Sequence, residues 1–243
     1  MPVSEVPAPD VKVIFFDVFG TVVDWRTSLR RLLAEWGQAN GVQADWNGFL
    51  DAWKAGYRPA MDAVISGARP WINLDDMYLE RMGQVAGDFG LGGLTESQRM
   101  EILKLWLRID PWPDAVEGLT RLAKKYTLVT LSNGSFAWLT AIAKHGRLPF
   151  DAVVTAENAK VYKPHPNCYL TAIKLMGMAD TPGDCMLTAC HNYDLAAGRD
   201  HGMKTAFLPR KEYGPDQIAD QAPESDWDVV ATGLIGVAEA MGC

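Results

Sequence analysis

Short apolar runs alternate with amphipathic segments along the chain, and the two patterns predict different elements. The first run, residues 11–16, is β-branched and aromatic apart from one lysine, which is typical of a strand buried on both faces of a parallel sheet. Similar runs return after residue 110 and alternate with helical patterns, which predicts βαβ units. The predicted strands are residues 11–16, 126–131, 151–155, 185–189 and 204–208, and the predicted helices are residues 115–125, 136–145, 167–176 and 194–201.

The segment between residues 26 and 110 has apolar residues at helical spacing and no convincing strand pattern. Thr27 is predicted to cap its first helix, and a second helix is predicted to end before Pro59. The apolar positions are Leu29, Leu32, Leu33 and Trp36 in the first helix and Phe49, Trp53 and Tyr57 in the second, and helical patterns follow at residues 74–85 and 98–107. We therefore predict an α/β fold, in which a doubly wound, Rossmann-like parallel core (residues 11–25 and 111–243) carries an inserted helical cap domain (residues 26–110).

Composition and charge restrict the partners and the compartment. The 243 residues include 23 Lys and Arg against 30 Asp and Glu, a formal net charge of −7, which argues against a nucleic-acid-binding surface. Apolar runs fall short of the ~18 residues of a membrane span, and residues 1–10 lack the basic and apolar regions of a secretory signal. The cysteines, at positions 168, 185, 190 and 243, have no C-x-x-C spacing, so we predict reduced thiols and a cytoplasmic location.

Polar residues follow four of the predicted strands. Asp17 follows the first strand and Ser132 the second, whereas Lys163 lies beyond the third and the run from His191 to Asp194 follows the fourth. The carboxyl ends of parallel strands form the ligand site of such sheets, so these side chains are expected to converge on one crevice. A nearby lysine holds an aspartate ionised, and an ionised, partly desolvated aspartate is a competent nucleophile that can form a covalent ester.

Other patterns of reactive residues are weaker. Cys190 and His191 are adjacent, but neighbouring residues at a strand end tend to point apart, and no carboxylate at a suitable spacing completes a triad. The remaining histidines lack the spacing of a zinc site. The first strand is not followed by the glycines of a dinucleotide fold. We therefore expect neither a metal nor an organic cofactor.

Four motifs together resemble the haloacid dehalogenase superfamily. Residues 16–21 (Phe-Asp-Val-Phe-Gly-Thr) resemble its first motif, residues 131–134 (Leu-Ser-Asn-Gly) its second, residues 161–164 (Val-Tyr-Lys-Pro) its third, and Asp194 its fourth. The motifs occur in the family's order, and the resemblance covers nearly the whole chain, cap included. It implies a hydrolase that acts through an aspartate.

Two features resemble the L-2-haloacid dehalogenase subgroup rather than the magnesium-dependent phosphatases of the superfamily. The phosphatases carry a second Asp two residues after the nucleophile, where this chain has Phe19, and an extra carboxylate in the fourth motif, where residues 188–193 contain no acid. Mg²⁺ requires hard oxygen ligands, whereas a halide leaving group needs neither a proton nor a metal. The resemblance thus implies metal-independent release of halide from short 2-haloalkanoic acids.

The subgroup's mechanism implies a role for each matching residue. The carboxylate of Asp17 would displace halide from the α-carbon, and water would hydrolyse the aspartyl ester to a 2-hydroxy acid of inverted configuration. Thr21, Ser132 and Lys163 would hold or polarise that carboxylate, and Asp194 would position Lys163 and the hydrolytic water. The residues expected near the substrate are Phe19, Trp53, Tyr57 and Tyr193 as an apolar wall, Asn133 near the halide, and Tyr169, which matches the tyrosine that follows the motif lysine.

The first departure from the subgroup concerns the anion-binding cation. In the subgroup an arginine follows the tryptophan that corresponds to Trp53, whereas this chain has Lys54. Lysine keeps the charge but loses the planar fork of arginine. Arg58, one helical turn further on, is a second candidate for binding the halide or the carboxylate, and Arg69 is a weaker one.

The second departure is His191, where better-known members carry asparagine. An imidazole can act as a base toward water or donate a hydrogen bond to halide, and it can equally serve only to orient Asp17 or Asp194. These changes leave open the opening of a small ring beside a carboxylate, as in azetidine-2-carboxylate, a magnesium-dependent phosphatase, or a catalytically idle binding protein. Related enzymes are commonly dimers, so a homodimer is expected, with a small 2-substituted carboxylate as the ligand and without nucleic-acid or membrane partners.

Overall fold

The computed structural model describes residues 9–243. The strands of this part of the chain are β1 (Val13–Phe16), β2 (Thr127–Ser132), β3 (Ala152–Thr155), β4 (Cys185–Ala189), β5 (Lys204–Phe207) and β6 (Val229–Val230). They form one sheet in the order β3-β2-β1-β4-β5-β6, and every neighbouring pair is parallel. The chain adds strands on one side of β1 and then crosses to the other, so the strand order reverses beside β1, where ligands bind in such sheets. The predicted doubly wound parallel core is therefore confirmed.

Helices cover both faces of the sheet and fill the segment between β1 and β2. In the segment that we predicted as the cap, they are α1 (Trp25–Asn40), α2 (Trp46–Ala55), α3 (Tyr57–Ile65), α4 (Leu74–Val85) and α5 (Glu96–Leu103). The helices of the remaining chain are α6 (Ala115–Leu122), α7 (Phe136–Gly146), α8 (Ala156–Ala159), α9 (Pro166–Leu175), α10 (Asn192–Asp200) and α11 (Leu234–Ala240). We propose residues 26–110 as the bounds of the cap. Among residues 9–243, every helix is too short or too polar to cross a lipid bilayer.

Two helix boundaries in the inserted segment differ from those predicted. Helix α1 is capped by Asp24, whose carboxylate accepts a hydrogen bond from the backbone nitrogen of Thr27 at 3.1 Å, so Thr27 lies inside the helix. The predicted second helix is two helices, because α2 ends before Gly56 and α3 begins at Tyr57. Pro59 lies in the first turn of α3, where backbone N–H groups have no helical acceptor and a proline is tolerated.

The last strand and the last helix were not predicted. Strand β6 has two residues, which is too few to show an alternating pattern, and it follows a long polar segment. Helix α11 packs against α6 and closes one layer of the core. The sheet is therefore one strand wider than the hydrophobic pattern indicates.

Alternate residues of β1 pack into different layers of the core. Ile14 and Phe16 belong to the layer shared with the inserted helices, and Val13 and Phe15 belong to the layer on the opposite face of the sheet. The first layer continues into an aromatic cluster made of Trp25, Trp53, Tyr78, Trp106 and Trp138. The rings of Trp106 and Trp138 are stacked, with centroids 5.3 Å apart, and this contact joins the inserted segment to α7.

Candidate active site

Strand β1 delivers the carboxylate of Asp17 to the carboxyl edge of the sheet. Its Oδ1 accepts a hydrogen bond from Nζ of Lys163 at 3.0 Å, and its Oδ2 accepts one from Oγ1 of Thr21 at 2.8 Å. Nδ1 of His191 lies 3.1 Å from the same Oδ2. Asp17 is 6% exposed and lines a cavity. The fold thus brings residues of the first and third motifs together with His191 around one buried carboxylate.

The charge of Lys163 decides the protonation state of Asp17. Burial would raise the pKa of Asp17, but Lys163, His191 and Thr21 stabilise the carboxylate and hold its pKa well below the ordinary value. Burial would lower the pKa of Lys163, and the carboxylates of Asp17 and Asp194 raise it above the usual range. Asp17 is therefore anionic and Lys163 cationic at neutral pH.

Asp194, in the first turn of α10, lies directly behind Lys163 and is fully buried. Its Oδ2 accepts a hydrogen bond from Nζ of Lys163 at 2.5 Å, and its Oδ1 accepts one from Oη of Tyr169 at 2.6 Å. Tyr169, which was expected near the substrate, is instead a buried partner of Asp194 and is not among the cavity-lining residues. Both carboxylate oxygens of Asp194 are thus engaged by protein donors, which suits a role in positioning Lys163.

Strand β2 brings Ser132 and Asn133 to the cavity, where both are buried. Oδ1 of Asn133 accepts a hydrogen bond from the backbone nitrogen of Lys163 at 2.8 Å. Nδ2 of Asn133 lies 3.3 Å from Sδ of Met61 in α3. Asn133 thus ties the second motif to the third and contacts the helices that cover the site.

The cavity lies between the carboxyl edge of the sheet and the inserted helices, and its volume is about 210 Å³. Its lining residues are Asp17, Phe19, Lys54, Tyr57, Arg58, Met61, Ser132, Asn133, His191, Tyr193, Glu212, Tyr213 and Asp220. Phe19, Tyr57 and Tyr193 of the expected apolar wall are among them. Trp53 is not, because its ring is buried in the aromatic cluster and its Nε1 donates to the backbone oxygen of Tyr78 at 2.7 Å.

Lys54 places its ammonium group over aromatic rings at the cavity wall. Nζ lies 3.8 Å from the centroid of the Tyr57 ring and 4.9 Å from that of Trp25, which are cation–π distances. Burial lowers the pKa of Lys54 to about 8, although the negative charges of Glu212 and Asp17 oppose the shift. This cation has aromatic neighbours and faces the cavity.

The other two cation candidates are paired with carboxylates of the inserted helices. Nε of Arg58 donates to Asp62 at 2.8 Å, and both side chains are about half exposed. Arg58 also lies over the Tyr193 ring, 5.6 Å from its centroid, at the cavity mouth. Arg69 pairs with Glu80 and lies outside the cavity lining. Lys54 is therefore placed better than either arginine to bind an anion inside the cavity.

His191 contacts a second carboxylate, Glu212, which the sequence motifs did not identify. Nε2 of His191 lies 2.7 Å from Oε1 of Glu212, in the loop after β5. Oε2 of Glu212 accepts a hydrogen bond from Nε1 of Trp25 at 2.6 Å, and the residue is 3% exposed. Glu212 stands between Lys211 and Tyr213 in a segment without an apolar pattern, which is typical of a solvated loop. Only the tertiary contacts reveal it.

The side chains of Cys190 and His191 lie close together, contrary to the prediction from their adjacency. Sγ of Cys190 is 3.6 Å from Nε2 of His191. Burial raises the pKa of the Cys190 thiol, although His191 opposes the shift. Because the thiolate is the nucleophilic form of cysteine, a raised pKa does not suit covalent catalysis by this residue.

The donor set at the site does not fit Mg²⁺. Within residues 9–243, Asp17, Cys190 and His191 lie close enough to share a metal ion, but a thiol and an imidazole are poor ligands for this hard cation. The oxygens of Asp17 already face Lys163, Thr21 and His191. An ammonium group beside the central carboxylate repels a divalent cation, so we derive no chemical step through magnesium.

The chain is similar to solved dehalogenases over almost its whole length. It superimposes on the crystal structure of an L-2-haloacid dehalogenase with a TM-score of 0.92 and 40% identity, covering 96% of this chain and 99% of that one. The crystal structure of a defluorinating L-2-haloacid dehalogenase gives a TM-score of 0.91 and 35% identity, covering 98% and 99%.

A curated relative and a family model also match the chain to haloacid dehalogenases and their family. The (S)-2-haloacid dehalogenase of Xanthobacter autotrophicus is 29% identical over 133 residues, which are 54% of this chain and 51% of the relative, so the match spans about half the length of that enzyme. The family model for haloacid dehalogenase-like hydrolases matches residues 11–202. The matched range includes all four motif segments, and the chain therefore belongs to the haloacid dehalogenase-like hydrolase family.

Proposed function

We propose that this chain hydrolyses short 2-haloalkanoic acids to 2-hydroxy acids through a covalent ester on Asp17, without a metal ion. The observation that supports the proposal most directly is the anionic carboxylate of Asp17, which Lys163 holds at the wall of a small cavity that Lys54 also lines. A nucleophilic anion and a separate cation suit a substrate with a leaving group beside its own carboxylate. The dehalogenase relatives support the same reaction.

In the first step, a carboxylate oxygen of Asp17 attacks the α-carbon on the side opposite the halogen. The C–O bond forms as the carbon–halogen bond breaks, the halide leaves with the bonding electrons, and the configuration at carbon inverts. Lys163 and Thr21 hold the carboxylate in one orientation throughout, so little reorganisation is needed at the moment of attack. Lys54 binds the carboxylate of the substrate or the departing halide.

In the second step, water attacks the carbonyl carbon of the ester. The bond between this carbon and the substrate oxygen breaks, the 2-hydroxy acid leaves, and Asp17 regains its carboxylate with one oxygen from water. The two steps together exchange the halogen for a hydroxyl group. Because the ester belongs to the protein, the first turnover leaves a solvent oxygen in Asp17 and not in the product.

The cavity supports a preference for small acids. A volume of about 210 Å³, lined by Phe19, Tyr57 and Tyr193, leaves room for haloacetates and 2-halopropionates. The names of the relatives support a preference for the (S) enantiomer. We propose this substrate range, including fluorinated acids, for this chain.

A single-turnover experiment tests the proposed function. The enzyme, in excess over (S)-2-chloropropionate in H₂¹⁸O, is expected to release chloride and to show a mass increase of 2 Da in the peptide that contains Asp17. Asp17→Asn is expected to bind the acid and release no chloride, because an amide is a poor nucleophile. Label found only in lactate, or chloride released by a verified Asp17→Asn protein, would exclude the covalent route.

We also propose a cytoplasmic homodimer as the working state of the chain. The four cysteines are free thiols, which suits a reducing compartment. Leu170 and Leu175 of α9 are about half exposed, and a partner subunit would cover them. Light scattering behind a sizing column distinguishes 26.7 kDa from twice that mass.

A further inference from the structure

The hydrolytic step needs a base, and the most obvious carboxylate is already occupied. Both oxygens of Asp194 accept hydrogen bonds, one from Lys163 and one from Tyr169, and the residue is fully buried behind the site. His191 lines the cavity and reaches Asp17 itself. The ring of His191 is therefore better placed than Asp194 to take a proton from water beside the Asp17 ester.

Carboxylates stand at both ring nitrogens of His191. Nδ1 lies 3.1 Å from Oδ2 of Asp17, and Nε2 lies 2.7 Å from Oε1 of Glu212. Only the imidazolium form donates from both nitrogens. The other groups that face the ring are the thiol of Cys190 and the ring of Tyr193. Burial would lower the pKa of His191, but the carboxylates of Asp17 and Glu212 raise it well above its ordinary value.

The position of Glu212 is built into the fold around Gly20. A Cβ atom at residue 20 would lie 2.3 Å from Oε2 of Glu212, so the glycine of the first motif leaves the space that this carboxylate fills. Trp25, at the start of α1, donates to the same Oε2. Two different elements thus fix a buried carboxylate against the outer nitrogen of His191.

We propose that Glu212 is a positioning residue that holds His191 as a base switched on by formation of the Asp17 ester. The inference rests on the proposed function, because it requires that ester. In the resting enzyme His191 is an imidazolium between two anions and cannot accept a proton. Alkylation of Asp17 removes one of the two negative charges, and the ring then releases its Nδ1 proton to solvent. The neutral Nδ1 is left facing the ester, and Glu212 holds the ring in place through Nε2.

The proton balance of the cycle closes. During alkylation the halide leaves with the bonding electrons, and one proton passes from His191 to solvent. During hydrolysis the attacking water gives one proton to Nδ1 of His191 and the other to the oxygen of the departing 2-hydroxy acid. The enzyme returns to a carboxylate at Asp17 and an imidazolium at His191. One proton is released per turnover, and it is released before the ester is hydrolysed.

The timing of proton release tests the switch in the unmodified enzyme. A weakly buffered solution with a pH indicator, mixed rapidly with excess (S)-2-chloropropionate, is expected to show one proton per active site in the same phase as the chloride burst. Lactate is expected to follow later. Protons that appear together with lactate would overturn the proposal, because the ring would then not have discharged before hydrolysis.

Substitutions of His191 and Glu212 test whether these residues act in ester hydrolysis or only stabilise the structure. His191→Asn is expected to slow ester hydrolysis about 100-fold, a typical contribution of a general base, while the chloride burst persists and the ester accumulates as a mass adduct on Asp17. Glu212→Gln is expected to slow hydrolysis about tenfold and to move the midpoint of its pH profile to lower pH, because loss of the negative charge makes the ring less basic. Glu212→Asp keeps the charge and is expected to restore part of the rate.

Glu224→Gln is the matched control. Glu224 is an exposed carboxylate in the same polar region after β5. Its substitution is expected to leave the chloride burst and the rate of ester hydrolysis unchanged. Ester hydrolysis at the wild-type rate in both His191→Asn and Glu212→Gln would overturn this inference. A chloride burst and an ester on Asp17 in the same variants would still support the proposed function. Absence of any chloride burst in the wild-type enzyme would instead remove the proposed function itself.

Discussion

The ammonium group of Lys163 lies 3.0 Å from Oδ1 of Asp17, and the lysine is 2% exposed. Asp194 accepts from the same Nζ on the other side. One cation therefore contacts two buried carboxylates. Lys163 is therefore expected to matter both for the negative charge of Asp17 and for the stability of the fold.

Lys163→Met is expected to abolish halide release and to destabilise the protein by about 3–5 kcal/mol, because the buried carboxylates of Asp17 and Asp194 both lose their ammonium partner. Urea denaturation measures the free energy of unfolding. Lys12→Met removes an exposed lysine paired with Asp184 and is expected to cost less than about 1 kcal/mol. Equal losses in the two variants would contradict the central role of the buried pair.

Substrate affinity is expected to fall as the pH rises above 8. The pKa of Lys54 is about 8, so the lysine is cationic below that pH and loses its charge above it. KM for chloroacetate should increase by up to about tenfold per pH unit beyond the midpoint, and Lys54→Met should show a high KM without this dependence. Arg58→Met should change KM much less. A larger effect at Arg58 would identify the arginine as the anion ligand.

The stability of the fold is expected to decline as the pH rises above neutrality, because of His191. Its folded-state pKa is raised above the unfolded value of about 6.5. The stabilisation is fully present below pH 6.5 and is lost as the pH rises toward the folded-state pKa, at up to about 1.4 kcal/mol per pH unit. Stability curves for wild type and His191→Asn should therefore converge as the pH rises from 6.5 toward the folded-state pKa of His191. Parallel curves would mean that the ring is neutral in the folded protein.

Gly20→Ala is expected to impair both stability and turnover. The residue has φ +88°, where an L side chain is strained, and its new Cβ would strike the carboxylate of Glu212. Gly177→Ala is the matched control, because Gly177 has φ +71° and open space around it. Backbone strain should lower the free energy of unfolding of both variants by about 1–2 kcal/mol. Only Gly20→Ala should also slow ester hydrolysis. Identical kinetics would show that Glu212 can move without consequence.

Removal of divalent metal ions is expected to leave halide release unchanged. The groups that contact Asp17 are an ammonium group, a hydroxyl group and an imidazole, and none of them adds a second carboxylate for Mg²⁺. Dialysis against EDTA, followed by chloride measurement with and without added magnesium, checks this. Loss of activity that magnesium restores would favour the phosphatase-like chemistry of the wider family.

The sequence predicted the site residues that lie at or just after the end of a strand. Asp17 follows β1, Ser132 ends β2, and His191 lies two residues after β4. The parallel sheet brings the carboxyl ends of these strands together, so the hydrophobic pattern predicts the meeting point. Lys163 lies further beyond β3, and both this position and its motif predicted it as a site residue. The helix ends near Asp24 and Gly56 were not predicted correctly, because a cap and a one-residue break are decided by local geometry within a continuous apolar pattern.

Contacts between distant parts of the chain account for what the sequence did not reveal. Glu212 is buried because Trp25 and His191 bind it, and these partners are 187 and 21 residues away. Trp53 and Tyr169 have the residue type of a ligand contact, but the packing turns one into the aromatic cluster and the other onto Asp194. The spacing and composition of the sequence do not predict either of these packing arrangements.

The stacked pair of Trp106 and Trp138 has a consequence for solution work. One ring belongs to the inserted segment and the other to a helix beside the sheet, so any displacement of Trp106 relative to α7 would change the distance between two indoles. The rings are 5.3 Å apart at an interplanar angle of 17°, and a change in this geometry would alter the near-ultraviolet circular dichroism of the protein. The stacked pair is therefore an intrinsic optical probe for such a displacement, readable in stopped flow without any attached dye.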